Sequence, residues 1–190
     1  MDKILTKKQI EKILAGTFEG DKIEAFGITH YHYNDCEEKD LVETEIKNVR
    51  VHKKCKLAFD IMQKDALKDN IKLEIISGYR SSKYQIEIFK CKFKDKNNPT
   101  EEELRKRLSV SAPSGFSEHH TGLAIDINSV EDDFAGTPEA IWLEKNAPKY
   151  GFELSFPKNN GQGLSYEPWH WRYVGDKECS ELFERGEFVL

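Results

Sequence analysis

Five side chains that could bind and use a metal ion lie in two short segments of the sequence. The first segment carries His119, His120 and Asp126, and the second, about 40 residues later, carries Glu167 and His170. Two histidines with one carboxylate form an established set of catalytic zinc ligands. Three protein ligands leave a fourth position open for water, and an extra carboxylate can take the proton of that water. These residue types therefore predict a catalytic Zn²⁺ site.

Asp126 is informative because its neighbours are apolar. The segment Leu123–Ile127 has the pattern of a short buried strand apart from this one carboxylate. Burying a carboxylate is costly unless a partner compensates its charge, and a divalent cation would do so. Gly122 and Ala124 leave room for a close approach of the backbone. The alternative, in which Asp126 ends a loop and His119 is a surface group, leaves the second segment unexplained.

Glu167 and His170 are three residues apart, so in an ideal strand their side chains would face opposite sides. Pro168 lies between them and favours a bend, because proline removes a donor from the strand ladder. With a bend, we expect one of the two to bind the metal while the other reaches the water. The spacing alone does not decide between His119 and His120 as the ligand in the first segment.

A second pair of histidines, His30 and His32, lies in a segment that alternates like a strand over Ile28–Tyr33. Both would lie on one face of that strand and could bind a metal. No third ligand is nearby in the sequence, so we expect an ordinary half-buried strand here and not a second metal site.

Capping signals and apolar spacing predict the elements that position these residues. Six helices are predicted. The first begins after Thr6 and ends at Gly16, the second spans about 48–69, and the third begins after Ser81 or Ser82. The fourth runs from Thr100 to about Leu108, the fifth from Thr137–Pro138 to Tyr150, and the sixth lies near Cys179–Arg185. The helix at 48–69 is expected to bury one face formed by Val51, Cys55, Phe59, Met62 and Ala66. The helix after Ser81 is expected to bury Tyr84, Ile88 and Phe89. The predicted strands are Ile28–Tyr33, Ile71–Ile76, Leu123–Ile127, Phe152–Phe156 and Glu167–Val174.

The order of these elements predicts an α+β fold. Helices and strands neither alternate strictly nor repeat, which indicates a single domain with a mainly antiparallel central sheet flanked by helices. Residues 17–45 are acidic and irregular and give the least information. We expect residues 1–45 to be an N-terminal extension that packs on a domain formed by residues 46–190.

Composition excludes several other classes of protein. The net charge of −5, with both signs mixed along the chain, argues against a nucleic-acid binder. No apolar run approaches the roughly 20 residues that span a bilayer. Residues 1–9 lack the apolar core of a signal peptide, which predicts a cytoplasmic location for the chain as written, or an extracytoplasmic one for a trimmed mature form. The four cysteines are widely spaced, which favours buried free thiols over a metal cluster or disulfides.

The two segments together resemble the zinc D-alanyl-D-alanine carboxypeptidases of the VanY type. The resemblance rests on the pattern SxHxxGxAxD over Ser117–Asp126 and on EPWH over Glu167–His170. Upstream, SGYRS over Ser77–Ser81 followed by Gln85 is similar to a substrate-side motif of the same group, which also includes LD-carboxypeptidases and VanX dipeptidases. The stretch Trp142–Phe152 is similar as well. The likeness covers about residues 48–176 and leaves the first 45 unexplained.

The resemblance implies a role for each matching residue. It implies that His119, Asp126 and His170 bind zinc, that Glu167 activates the water and passes its proton to the leaving amine, and that Arg80 stabilises the oxyanion. It also implies that Gln85 and Ser117 hold the terminal carboxylate of the substrate, and that residues 46–190 form a hedgehog/DD-peptidase-like zinc peptidase domain.

The expected function is removal of the C-terminal D-alanine from peptidoglycan-derived peptides or a D-alanine-containing small peptide. Three alternatives stay open: an LD-carboxypeptidase, a D-Ala-D-Ala dipeptidase, and a zinc-stabilised module that binds cell-wall peptides without cutting them. Glu167 and Arg80 argue against the binding module, since a binder needs neither a base nor an oxyanion partner. The sequence does not predict the oligomeric state.

Overall fold

The α+β architecture predicted from the sequence is confirmed. A computed structural model of the protein describes residues 4–184, in which every strand pairing is antiparallel. The elements in chain order are α1 Lys7–Ala15, β1 Lys22–Ala25, β2 Ile28–Tyr31, β3 Leu41–Glu43, β4 Arg50–His52, α2 Lys53–Lys68, β5 Ile75–Ser77, α3 Ser82–Lys90, α4 Glu101–Val110, β6 Ala124–Ile127, α5 Pro138–Asn146, β7 Phe152–Leu154, β8 His170–Tyr173 and α6 Lys177–Glu181. Short 3₁₀ turns lie at Glu38–Asp40, Glu118–Thr121, Asp132–Gly136 and Ala147–Tyr150.

The chain groups into two compact units, each built from three separate segments. The first unit comprises Met1–Asp35, Arg80–His120 and Phe156–Tyr166. It contains α1, the β1–β2 hairpin, α3 and α4, whose apolar faces bury a common core. That core consists of Leu5, Ile13, Leu14, Ile23, Ala25, Ile28, Phe89, Phe93, Leu104, Leu108 and Phe116.

The second unit comprises Cys36–Tyr79, Thr121–Ser155 and Glu167–Leu190. Its main feature is a four-stranded sheet in the order β5–β6–β8–β7. The inner strand β6 is buried along its whole length, as expected for a strand with neighbours on both edges. Helix α2 buries one face at the spacing the sequence predicted, through Cys55, Phe59, Met62 and Ala66.

The helix predicted over 48–69 begins later than its apolar spacing suggested. Val51 pairs with Val42 in the β3–β4 ladder and is fully buried there, so it belongs to a strand and not to the helix. Helix α2 starts at Lys53, where the His52 ring accepts a hydrogen bond from the Lys54 N–H. The pairing of Val51 with Val42, a residue outside the helical pattern, therefore decides where the helix begins.

Three smaller predictions also need correction. Tyr84 was expected to pack inward but is 60% exposed, while Phe89 is buried as predicted. The strand predicted over Ile71–Ile76 is reduced to β5. The Glu74 N–H donates to the Asn128 side chain and not to a backbone carbonyl of a neighbouring strand. Helix α6 begins at Lys177 and ends at Glu181, and the predicted end at Arg185 lies outside the described residues.

The remaining structural expectations concern disulfides, membrane spans and domains. Cys55 and Cys179 are buried free thiols as predicted, whereas the free thiols of Cys36 and Cys91 are partly buried and exposed, respectively, contrary to the prediction. Among the helices in residues 4–184, none is long and apolar enough to span a membrane. The expected division between residues 1–45 and 46–190 stays a prediction.

Candidate metal centre

Asp126 and His170 face each other on neighbouring strands. They are register partners on β6 and β8, which places their side chains on the same face of the sheet. Both are more than nine-tenths buried, and His170 Nδ1 lies 3.0 Å from Asp126 Oδ1. Asp126, a carboxylate within an apolar strand, thus has as its neighbour a second side chain of a type that can bind a metal ion.

Glu167 reaches the same pair through a turn. Strand β8 begins at His170, and the His170 N–H donates to the Glu167 carbonyl at 3.1 Å, which closes a turn over Pro168 and Trp169. As a result, Glu167 Oε2 lies 3.8 Å from His170 Nδ1. The predicted bend at Pro168 is confirmed, whereas the strand predicted from Glu167 starts three residues later.

His119 lies in the 3₁₀ turn Glu118–Thr121 and is 2% exposed. Each of His119, Asp126 and His170 offers one ligand atom, and these atoms lie within 4.8 Å of one another. The donor set of two imidazole nitrogens and one carboxylate oxygen is chemically suited to Zn²⁺. All three side chains are buried, so their charges and dipoles interact in a site that largely excludes water.

His120, the alternative ligand, is engaged elsewhere. Its Nδ1 lies 2.6 Å from the Arg80 carbonyl oxygen, and its Nε2 accepts a hydrogen bond from the Gly115 N–H at 3.1 Å. Burial lowers the pKa of His120, and the bond to the Arg80 carbonyl acts in the opposite direction. Both ring nitrogens are therefore used by the backbone.

Arg80, Gln85 and Ser117, the residues expected on the substrate side, lie on or beside the segments that lead to His119. The Arg80 N–H donates to the His119 carbonyl at 3.2 Å. Gln85 is buried on α3, where its Nε2 donates to the Ala112 carbonyl at 2.7 Å. Its Oε1 is buried and has no hydrogen-bond partner among the described residues. Ser117 is buried, and its carbonyl accepts the His120 N–H at 3.0 Å.

Residues 33–35 also contact these segments, which the sequence did not reveal. Asp35 accepts hydrogen bonds from the Ser82 N–H and hydroxyl, both at 2.8 Å, at the start of α3. The Tyr33 hydroxyl lies 3.5 Å from Glu118 Oε1. These partners are 47 and 85 residues apart in the chain, so no local pattern could have identified them.

The second histidine pair does not form a metal group in residues 4–184. His30 is 3% exposed in β2, and its Nε2 lies 2.8 Å from the Leu108 carbonyl. Burial lowers its pKa from 6.5 to about 4, against the smaller opposing effect of that hydrogen bond. β2 is half-buried as expected and holds His30 as a neutral core residue, but it ends at Tyr31, so His32 lies outside the predicted strand.

Comparison with known families locates the site in a recognised domain. Residues 48–176 match the family model described as VanY: D-alanyl-D-alanine carboxypeptidase. That range contains every candidate site residue. The first 47 residues lie outside it.

Individual relatives agree with this match. The putative carboxypeptidase YodJ of Bacillus subtilis (strain 168) is 37% identical over 156 residues, which covers 78% of this chain and 55% of that protein. The chain spans about half the length of the curated relatives it matches.

Two solved structures are similar in fold. One is a variant of the vancomycin-resistance D,D-pentapeptidase VanY from a VanB-type cassette, in complex with Zn(II); it has a TM-score of 0.62 and 28% identity, covering 80% of this chain and 86% of that one. The other is the LD-carboxypeptidase LdcB, with a TM-score of 0.60 and 31% identity, covering 88% of this chain and 74% of that one.

Proposed function

This chain belongs to the VanY family, and on that basis we propose that it is a zinc carboxypeptidase that removes the C-terminal D-alanine from peptidoglycan-derived peptides. The observation that carries the proposal is the buried group of His119, Asp126 and His170, whose ligand atoms lie within 4.8 Å of one another. These three residues would hold Zn²⁺. When bound, the ion acts as a Lewis acid and lowers the pKa of a coordinated water toward neutrality.

Glu167 is the proposed base. Its Oε2 lies 3.8 Å from His170 Nδ1, close to the metal group but outside it. In the proposed reaction the Glu167 carboxylate takes one proton from the attacking water while the water oxygen bonds to the scissile carbonyl carbon. The same proton then passes from Glu167 to the nitrogen of the leaving D-alanine as the C–N bond breaks. The products are free D-alanine and a peptide with a new terminal carboxyl group, which keeps the second hydrogen of the water until it ionises.

Arg80 is proposed to stabilise the negative charge that develops on the carbonyl oxygen. Groups of this kind are worth about 3 to 4 kcal/mol in comparable sites. Gln85 and Ser117 are proposed to bind the terminal carboxylate of the substrate, which selects for a chain end. The role of Gln85 rests on the resemblance alone, because its Nε2 already donates to the Ala112 carbonyl and its buried Oε1, which has no hydrogen-bond partner among the described residues, can accept a hydrogen bond but cannot bind a carboxylate directly.

The similarity to LdcB favours one second candidate, cleavage of an L,D bond in a tetrapeptide. Both candidates share the same residues in the same roles and differ in the stereochemistry of the residue before the scissile bond. The assay therefore has to include both kinds of peptide.

The proposal is tested by incubating the purified protein, loaded with zinc, with a muramyl pentapeptide ending in D-Ala-D-Ala, the corresponding tetrapeptide, and free D-Ala-D-Ala. We expect D-alanine release from the pentapeptide, loss of release with a chelator, and recovery with added zinc. Release only from the tetrapeptide would replace the D,D specificity with L,D. Turnover that persists in excess chelator would refute the zinc mechanism.

A pair of matched variants tests the base. Glu167→Gln should lower kcat by at least about 100-fold while zinc binding is retained. Glu153→Gln makes the same chemical change on β7 of the same sheet, where Glu153 pairs with Arg172 at 2.6 Å, and should leave kcat within a few-fold of the wild type. Full activity in Glu167→Gln would remove this residue from the mechanism. Stoichiometric zinc binding without turnover of any substrate would favour the binding module.

A further inference from the structure

His120 makes hydrogen bonds of opposite kinds through its two ring nitrogens. Nδ1 lies 2.6 Å from the Arg80 carbonyl oxygen, which can only accept. Nε2 lies 3.1 Å from the Gly115 N–H, which can only donate. The ring therefore has to be the neutral tautomer with hydrogen on Nδ1, because protonated Nε2 would face another N–H. The side chain is fully buried, so water does not offer either nitrogen an alternative partner.

These bonds hold the backbone of Arg80 on both sides. The Arg80 N–H donates to the His119 carbonyl at 3.2 Å, and the Arg80 carbonyl accepts from His120. Two consecutive histidines thus fix one residue of the substrate side, one through its backbone and the other through its ring. A rigid backbone at Arg80 restricts where its guanidinium group can lie.

The same ring also connects Arg80 to the loop before His119. Gly115 donates its N–H to His120, and its carbonyl accepts the Tyr33 N–H at 2.8 Å. Asp35 lies 3.7 Å from His120 Nδ1 and accepts two hydrogen bonds from Ser82. Residues 33–35, outside the family match, therefore support the segments on which His120 acts.

We propose that His120 is a positioning residue, whose Nδ1–H tautomer ties the backbone of Arg80 to the loop at Gly115 and so orients the Arg80 guanidinium for catalysis. The inference rests on the proposed function through the role of Arg80. In this role His120 does not bind metal. A different side chain that has both a donor and an acceptor in a similar arrangement could therefore replace it. Glutamine has both groups and leucine has neither.

Kinetics with matched variants test this assignment. His120→Leu should lower kcat about 10- to 100-fold with little change in KM, because small displacements of a positioned group cost rate at this scale. His120→Gln should retain most of the activity. His30→Leu is the control, since His30 is also buried and bonded to a backbone carbonyl, at Leu108, but does not contact Arg80. It should lower thermal stability and leave kcat unchanged below the unfolding transition.

A double mutant shows whether His120 acts through Arg80. In an Arg80→Gln background, His120→Leu should cause little further loss of kcat, because the group that it positions is already gone. Metal content is measured for each variant, so that a loss of zinc is not counted as an effect on Arg80. The proposal is overturned if the two losses multiply, or if His120→Leu behaves like His30→Leu.

A measurement without substrate separates this inference from the proposed function. Two-bond ¹H–¹⁵N correlation spectra of the zinc-loaded protein, assigned with His120→Gln, report which ring nitrogen carries the hydrogen. We expect the Nδ1–H tautomer at His120. If the wild type releases no D-alanine from any peptide, the proposed function fails, and the tautomer alone decides: Nδ1–H supports the tie between Arg80 and Gly115, and Nε2–H overturns it.

Discussion

His30 should make the stability of this protein sensitive to acid. The side chain is 3% exposed, and its Nε2 donates to the Leu108 carbonyl at 2.8 Å. Burial lowers the pKa of His30 from 6.5 to about 4 because the charged imidazolium would lose its hydration. Replacing His30 with glutamine keeps a donor for the Leu108 carbonyl and removes the titration.

The sign and size of the effect follow from the two pKa values. Between pH 6.5 and about 4 the unfolded chain carries a proton on His30 and the folded chain does not, so the free energy of unfolding falls as the pH falls. A difference of about 2.5 between the pKa values, at about 1.4 kcal/mol for each pKa unit, amounts to about 3 to 4 kcal/mol in full, of which about 3 kcal/mol is lost by pH 4. Domains have about 5–15 kcal/mol in total, so the loss is a substantial share.

Urea unfolding of the wild type and His30→Gln at pH 7.5, 6.5, 5.5 and 4 measures this contribution. The stability of the variant relative to the wild type should rise by about 3 kcal/mol across the series. Taking the difference cancels the protonation of carboxylates and metal ligands, which both proteins share.

His30→Leu separates titration from hydrogen bonding. It should show the same change with pH and, in addition, a constant loss of about 1–3 kcal/mol from the buried Leu108 carbonyl that it leaves without a donor. Parallel pH profiles for the wild type and both variants would refute the argument, because they would mean that His30 keeps its proton affinity on folding.

Three further predictions concern packing and the metal. Ser155→Ala should raise the free energy of unfolding by about 1 kcal/mol, because the buried Ser155 Oγ has no hydrogen-bond partner among the described residues; an unchanged value in urea unfolding would indicate a bound water. Gly122→Ala should lower it by about 2 kcal/mol, since Gly122 has φ of +68° and an added Cβ would lie 3.0 Å from the His52 nitrogen. Gly161→Ala, with nothing of the described structure within 4 Å of its Cβ position, is the control, and equal losses would contradict the steric argument. Chelation should lower the melting temperature, and adding zinc at 1,000 times its Kd should restore up to about 4 kcal/mol of the free energy of unfolding. A melting temperature unaffected by chelator would count against a metal in the native protein.

The elements that the sequence predicts well are those fixed by short-range interactions. The capping boxes at Thr6 and Thr100 form as predicted, with each threonine bonded to the residue three positions on. Thr137 caps α5 with Pro138 at its first position, also as predicted. In each case the donor and the acceptor lie within four residues of each other, so a short segment of the sequence is enough to predict the interaction.

Elements that depend on distant partners are predicted less well. Val51 continues the apolar spacing of α2, yet its pairing with Val42 places it in a strand. Likewise, the tie between His120 and Arg80 joins residues 40 apart, and nothing in either segment indicates it. Helical periodicity indicates which residues are buried, but it does not decide whether a buried residue at the end of the pattern belongs to the helix or to a strand.

The turn at Glu167–His170 shows that a conflict between local rules can itself mark a site. Strand periodicity would have placed Glu167 and His170 on opposite faces, whereas Pro168 was incompatible with an uninterrupted strand. The structure satisfies both rules by starting β8 at His170 and closing a turn before it. The turn brings Glu167 Oε2 to 3.8 Å from His170 Nδ1, while His170 keeps its register with Asp126. A regular strand could not have presented a metal ligand and a neighbouring base on one face at this spacing, so the irregularity is what allows the arrangement on which the proposed mechanism depends.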